Sequence, residues 1–300
     1  GTTPGGITSG GSASGGTTEV EAVNAKEPTI TAQPKAATLT YKATSVLTVA
    51  ATAADGGKIT YQWYKNTKNS VTGAAAINGA TMASYTVPAS AIGTTYYYCA
   101  VTNKNDSATG TKTAVTNSDI VKVQVVKAVN PITKVSQYSK AVGSKLTLKP
   151  AGAATYKSSK PKVAAVSKNG RITFKSIGKA VITVKAKGNA YYEAATKRIT
   201  IVVTPKKAVV SSVKSTKSKT AVVKWKKDTK TTGYLIQYST SSKFKGAKTV
   251  TVKNSKTSSA VLKNLKGGKK YYIRVCGYKT VNRKPISGSW SSTKTIKVKK

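Results

Sequence analysis

Apolar residues in this chain alternate with polar ones, and no window sustains the i, i+3, i+4, i+7 spacing of an amphipathic helix. Leu47-Thr48-Val49-Ala50-Ala51 and Ile296-Lys297-Val298-Lys299 show the pattern. A period of two puts successive side chains on opposite faces of a pleated strand, so each such segment offers one face to a core. The apolar set is mostly Val, Ile, Ala and Tyr, and Tyr outnumbers Phe by 16 to 2. β-Branched and aromatic residues fit half-buried strands. A ring with an apolar body and a wet tip fits a thin sandwich, where side chains lie near the surface. The reading is an all-β chain.

Three hundred residues are enough for two or three domains. β-Branched runs end in proline at Val129-Asn130-Pro131 and at Thr204-Pro205, and proline cannot continue a central strand. Gly1 to Thr18 is a Gly/Ser/Thr tract with one proline, the composition of a flexible linker. The expected organisation is therefore a linker over 1–27 and domains over 28–128, 129–204 and 205–300. A segment that opens in a linker is expected to be part of a longer polypeptide, with a signal sequence and any catalytic domain upstream of Gly1. No apolar run is long enough to span a bilayer.

Charge narrows the chemistry. There are 51 basic residues, 8 acidic residues and no histidine. Paired carboxylates, a histidine-based triad and a His/Cys metal site all need residue types that are scattered or missing here. We therefore expect no catalytic, cofactor-binding or metal-ligating residues, no cofactor, and no enzyme activity. The excess is graded along the chain. Residues 28–128 hold 9 basic and 3 acidic residues, net +6; residues 129–204 hold 15 and 1, net +14; residues 205–300 hold 26 and 1, net +25. Cys99 and Cys276 fall in different predicted domains, so they make no disulfide framework.

Several ordered motifs point to known sandwich families. Tyr61-Gln62-Trp63-Tyr64-Lys65, Ile77-Asn78-Gly79-Ala80-Thr81, Ser84-Tyr85-Thr86-Val87 and Tyr96-Tyr97-Tyr98-Cys99-Ala100-Val101-Thr102 together resemble an immunoglobulin-like domain of bacterial surface proteins. That resemblance implies Trp63 in the core and Tyr97 at the tyrosine corner. Ala51 stands where the partner cysteine belongs, which leaves Cys99 as a buried free thiol beside Trp63. Tyr156-Lys157-Ser158-Ser159-Lys160-Pro161-Lys162-Val163-Ala164-Ala165-Val166, with Asn169-Gly170-Arg171-Ile172 and Gly178-Lys179-Ala180-Val181-Ile182-Thr183-Val184, resembles the group 2 bacterial immunoglobulin-like family of intimin- and invasin-type adhesins. Val163 and Val166 are expected in its core, Asn169-Gly170 in a type I′ turn, and Gly178 at a tight reversal. Tyr156 stands where that family often has tryptophan.

Ala221-Val222-Val223-Lys224-Trp225, Gly233-Tyr234-Leu235-Ile236-Gln237-Tyr238, Leu262 to Gly268, and Tyr271-Tyr272-Ile273-Arg274-Val275 resemble a fibronectin type III domain. Trp225 and Tyr271 are its implied core rings. By alternation Ile273 and Val275 point inward, and Arg274 and Cys276 point outward. The fold class is thus all-β, three tandem immunoglobulin-like or fibronectin-like β-sandwiches after a flexible N-terminal linker.

Remaining motifs have plain structural readings. Lys269-Lys270-Tyr271-Tyr272-Ile273-Arg274 mixes base and ring, yet it reads as a strand with its Tyr in the core, and no specific nucleic-acid partner is expected. Glu193 and Asp228 are isolated acids outside any calcium loop. Trp290 is either a sugar-stacking platform or, the favoured reading, a ring that covers the sheet edge or stacks with a cation such as Arg274. Lys294, Lys297 and Lys299 guard a strand against edge association. The gradient in lysine suits attachment to an anionic polymer such as a cell-wall polymer. The expectation is an extracellular, secreted or surface-displayed bacterial segment, a stalk or adhesive spacer. Its partners are upstream domains of the same polypeptide, with anionic wall polymer or a host glycan or protein as ligand; no ligand-binding residue is singled out. Accessory domains of a large secreted glycoside hydrolase or peptidase, and a dedicated glycan- or protein-binding module, are the alternatives.

Overall fold

The structure, a computed structural model, describes residues 21–300. Residues 1–20, most of the expected linker, lie outside the described residues. Every regular element among the described residues is a β-strand. The chain divides into two compact units, the first ending at Val126 and the second spanning Lys127–Lys300.

In the first unit the larger sheet runs in the order Ala37–Thr40, Val121–Val126, Gly93–Lys104, Lys58–Asn66, Ala75–Ala76, with Thr113–Asn117 also on Gly93–Lys104. Ala37–Thr40 joins Val121–Val126 in parallel, and the other pairings are antiparallel. The strand expected at Leu47–Ala51 breaks at Val49. Thr44–Thr48 pairs with Ser84–Pro88, while Ala50–Thr52 pairs with Thr29–Ala32. The Val49 amide leaves the ladder to donate to the Ala83 carbonyl at 2.9 Å, so one strand serves two neighbours.

Trp63 is fully buried and faces Cys99 in register across the sheet. Its Nε1 donates to the Met82 carbonyl at 3.0 Å, which satisfies the polar tip of a ring whose body fills the core. Leu47, Val87, Val101 and Val123 complete that core, with Ala51 at its margin. Tyr97 is buried and tilts against Tyr85 at 6.0 Å. The sandwich also holds residues assigned to the linker. Ala25 donates to the Thr111 carbonyl at 2.7 Å, Gly110 to Val23 at 3.0 Å, and the Lys26 amide to Asp55 at 2.9 Å. Residues 22–26 are thus a strap on the sandwich instead of free linker.

The second unit contains two cores. In the first, Gln137–Ala141 runs parallel to Ala195–Thr204, followed in the sheet by Gly178–Ala186 and Ala154–Ser158. Lys145–Thr147, Arg171–Phe174 and Ala164–Val166 form the facing sheet. Ile172, Phe174, Ile182, Val184, Ile199 and Ile201 fill the space between. Val163 and Val166 are half-buried at its margin, and the fully buried residue between them is Ala164.

The turn at Asn169-Gly170 differs from expectation. Only Gly170 has positive φ, +72°, whereas type I′ requires it at both central residues. Gly170 donates to Ser167 and Ser167 to Arg171, each at 3.0 Å. This is a type I turn closed by a left-handed glycine, the three-residue hairpin form. Gly178 opens a strand opposite Val203 and lies under Val163, while the reversal precedes it.

In the second core, Val210–Lys214, Ala221–Trp225 and Ser259–Leu262 face a sheet of Lys248–Val252, Gly233–Ser239, Lys270–Val281 and Lys284–Ser287, with Lys294–Lys297 also on Lys270–Val281. Trp225, Tyr234, Ile236, Ile273 and Val275 are its buried centre. The hydroxyl of Tyr271 accepts the Lys266 amide at 3.1 Å. That closes a tyrosine corner, a ring tied to backbone a few residues upstream.

Candidate anion-binding surface

The candidate surface begins at Pro205, which cannot extend the strand that ends at Thr204. Its carbonyl and ring press so closely on Gly288 that a Cβ there would meet the carbonyl oxygen at 2.9 Å, and Thr231 crowds Gly277 in the same way, at 2.9 Å. The chain from Lys206 to Val209 then runs beside the end of Ala221–Trp225, where the Lys226 amide donates to the Val209 carbonyl at 2.8 Å. Lys227 leads into a turn ordered by Asp228. One Asp228 carboxylate oxygen accepts the Lys230 amide at 3.0 Å, and its carbonyl accepts the Thr231 hydroxyl at 2.7 Å. The buried Tyr234 hydroxyl receives the Asp228 amide at 2.6 Å and donates to the Ser255 carbonyl at 3.1 Å.

These segments enclose a cleft of about 310 Å³ lined by Lys206, Lys207, Lys226, Lys227 and Lys230, with Asp228 as the one acid. Val142, Ala208, Val209 and Gly277 supply apolar wall. A neighbouring concavity shares Lys207 and adds Lys294. All five cleft lysines are exposed. The one ion pair among the described residues is Lys104–Asp106, at 3.3 Å on the first unit. The basic excess of 205–300 is therefore uncompensated by close carboxylates among the described residues. Sequence reasoning found the lysine gradient and missed the cleft, because its walls meet only after the Pro205 segment folds back on the turn at Asp228.

The residues weighed for chemistry fall elsewhere. Cys99 and Cys276 are free and buried, and burial pushes both thiols up to about 11. Cys276 was expected on a bare outer face, yet it is 1% exposed. A second layer covers that face. The Arg274 guanidinium lies 3.9 Å from the Phe244 ring centre and 4.7 Å from that of Trp290, and its Nε donates to Gln237 at 2.7 Å. Trp290 is half-buried in this stack, as the structural reading holds. Phe244 reaches Arg274 from a backbone at φ +57°, a conformation bulky residues rarely adopt. No group of three or more His, Cys, Asp or Glu among the described residues could hold a metal, and no helix among them is long and apolar enough to cross a membrane.

The family model of the fibronectin type III domain matches residues 205–293. No curated protein matches the chain. Among solved structures, the FN1-FN3 domains of chicken CNTN1 are 17% identical with a TM-score of 0.28, covering 90% of this chain and 100% of theirs. A domain segment of titin is 12% identical with a TM-score of 0.29, covering 91% and 99%. The fn3 domain of human contactin 1 is 26% identical with a TM-score of 0.26, covering 32% of this chain and 80% of its own. Residues 205–293 are thus a fibronectin type III domain. Sandwiches of this kind are generally non-catalytic and typical of extracellular or surface proteins.

Proposed function

We propose that this chain is a non-catalytic extracellular segment of a bacterial, Gram-positive surface or secreted protein, which spaces or retains a partner domain by holding anionic wall polymer. In this reading residues 28–128, 129–204 and 205–300 are successive folding modules behind the linker. The observation that supports it most is the concentration of charge, +25 on residues 205–300 against +6 on residues 28–128. Solubility alone does not require that gradient. Clefts walled by one sign of charge focus field and raise the local concentration of counter-charged ligand. Lysine is a strongly hydrated point charge that meets phosphate without the bidentate fork of arginine, so binding should rank polyanions by charge density more than by shape.

The test is sedimentation of the full chain with purified Gram-positive cell walls, before and after extraction of their phosphodiester polymers. The proposal expects co-sedimentation with intact walls and its loss with extracted ones. Equal binding to both would contradict it.

A further inference from the structure

Resting on that retention reading, we infer that the cleft between Lys206–Val209 and Lys226–Thr231 is a seat for a polyol phosphate chain, a polymer of phosphodiesters joined through aliphatic carbons. Three observations converge on this class of ligand.

The first is charge in a concave place. Five ammonium groups line about 310 Å³ with one carboxylate among them, and one oxygen of that carboxylate already takes the Lys230 amide. Like charges gathered around one volume repel each other, so a device for solubility alone would space them out. An anion entering the volume turns mutual repulsion into shared attraction.

The second is the wall between the charges. Val209 is 58% exposed, and together with Ala208 and the buried Val142 it gives the cleft apolar surface. A ligand that alternates phosphate with carbon linker matches both kinds of wall. An inorganic ion or a carboxylate-only chain would leave the apolar part unused.

The third observation separates this ligand from a nucleic acid. Strand-tracking nucleic-acid sites combine charge with aromatic platforms on which bases stack. The ring lining this cleft, Tyr234, is 1% exposed, and its hydroxyl is committed to Asp228 and Ser255. It offers no face to a base.

The neighbouring concavity that shares Lys207 and adds Lys294 extends the basic track beyond a single phosphate. The seat is thus part of a path along the domain, suited to a chain longer than one repeat.

The experiment uses the full chain and synthetic poly(glycerol phosphate) as probe, at 50 mM salt. One variant carries K206Q, K207Q, K226Q, K227Q and K230Q. A second carries the same charge loss at five exposed lysines elsewhere in the domain, K243Q, K245Q, K248Q, K253Q and K263Q. A focused seat predicts that the first variant loses about tenfold or more in affinity while the second stays within about threefold. Equal losses would overturn the seat and leave the retention reading intact; no binding by the unsubstituted chain would overturn the retention reading itself. The same titration on the unsubstituted chain, followed by amide NMR, should move Ala208, Val209, Thr231 and Gly277 most, and it holds even if a variant fails to fold. Largest shifts elsewhere would overturn the assignment. So would tighter binding of an oligothymidylate with the same number of phosphates.

Discussion

A methyl group on Gly170 would sit 2.6 Å from the Leu148 carbonyl oxygen and 2.8 Å from the Tyr156 hydroxyl, on a backbone at φ +72°. An L-residue in that conformation costs about 1–2 kcal/mol before any clash is counted. Gly170→Ala should therefore lower the denaturation midpoint of the Lys127–Lys300 unit and leave the first unit's transition in place; unchanged midpoints for both would refute the account. The two thiols make a second residue-scale prediction. Neutral and shifted up to about 11 by burial, Cys99 and Cys276 should resist a thiol reagent in the native chain at pH 8 and react fully after unfolding. Rapid native labelling of either would show a thiol exposed and activated. Cys99 was legible in the sequence, because it sits two residues beyond Tyr97 and opposite Trp63. Cys276 was not. Alternation puts Cys276 on the same face as Arg274 and says nothing of how that face is covered, as Phe244 and Trp290 cover Arg274 beside it.

Strands in this molecule bend around small polar residues that alternation cannot rank. In the first unit the last strand is broken between Thr113–Asn117 and Val121–Val126. There the buried Ser118 donates its amide to Cys99 and accepts the Cys99 amide on its hydroxyl, both at 2.9 Å. In the fibronectin type III domain the same exchange recurs between Lys284–Ser287 and Lys294–Lys297. Ser291 donates to Val275 at 2.7 Å and accepts its amide at 3.0 Å. Removing either hydroxyl strands a buried amide, a loss of about 1–3 kcal/mol. Ser118→Ala and Ser291→Ala should each destabilise by that amount in chemical denaturation, and a neutral result at both would refute the role. Serine in these segments reads as turn or surface, so neither break was visible beforehand. The strands themselves were: Ala221–Trp225 lies where the family resemblance put it, and Gly233–Ser239 within one residue.

The strap over residues 22–26 belongs to the same scale. The Lys26 amide, with the Asn105 and Asn103 side chains and the Gly57 amide, holds the Asp55 carboxyl well below its ordinary value of 3.8. A depressed folded-state value means this contribution is full above about pH 3.8 and fades as pH falls below it. Acidification from pH 5 to pH 2 should thus loosen the strap, read as a lower protection factor (exchange relative to the intrinsic rate at each pH) at Ala25 and Lys26. In Asp55→Asn the protection factors of the same amides should no longer respond to pH over that range. Retained acid sensitivity in that variant would refute the assignment. Strap residues were taken for linker because their partners, Thr111 and Asp55, lie far along the chain.

Across the whole molecule, fold class was readable because strand period, β-branched composition and proline positions agree with one another. The candidate site was readable only as a gradient of lysine. Its geometry depends on Pro205 pressing against Gly288 and on Thr231 pressing against Gly277, contacts between residues far apart in the chain. Physically, the gradient concentrates a field that draws polyanions to residues 205–300. Coulombic attraction with counterion release makes binding fall steeply with salt, by about 10³–10⁵ between 50 and 200 mM for a protein contacting about six to ten phosphates of a dense polymer. The direct measurement is the salt dependence of full-chain affinity for poly(glycerol phosphate). It should be compared with that of two variants, one bearing the five cleft substitutions and one bearing K58Q, K65Q, K68Q, K112Q and K122Q on the first unit. The account predicts a steep slope that flattens with the cleft substitutions and is unchanged by those on the first unit. A slope near zero, or one flattened equally by both sets, would contradict it.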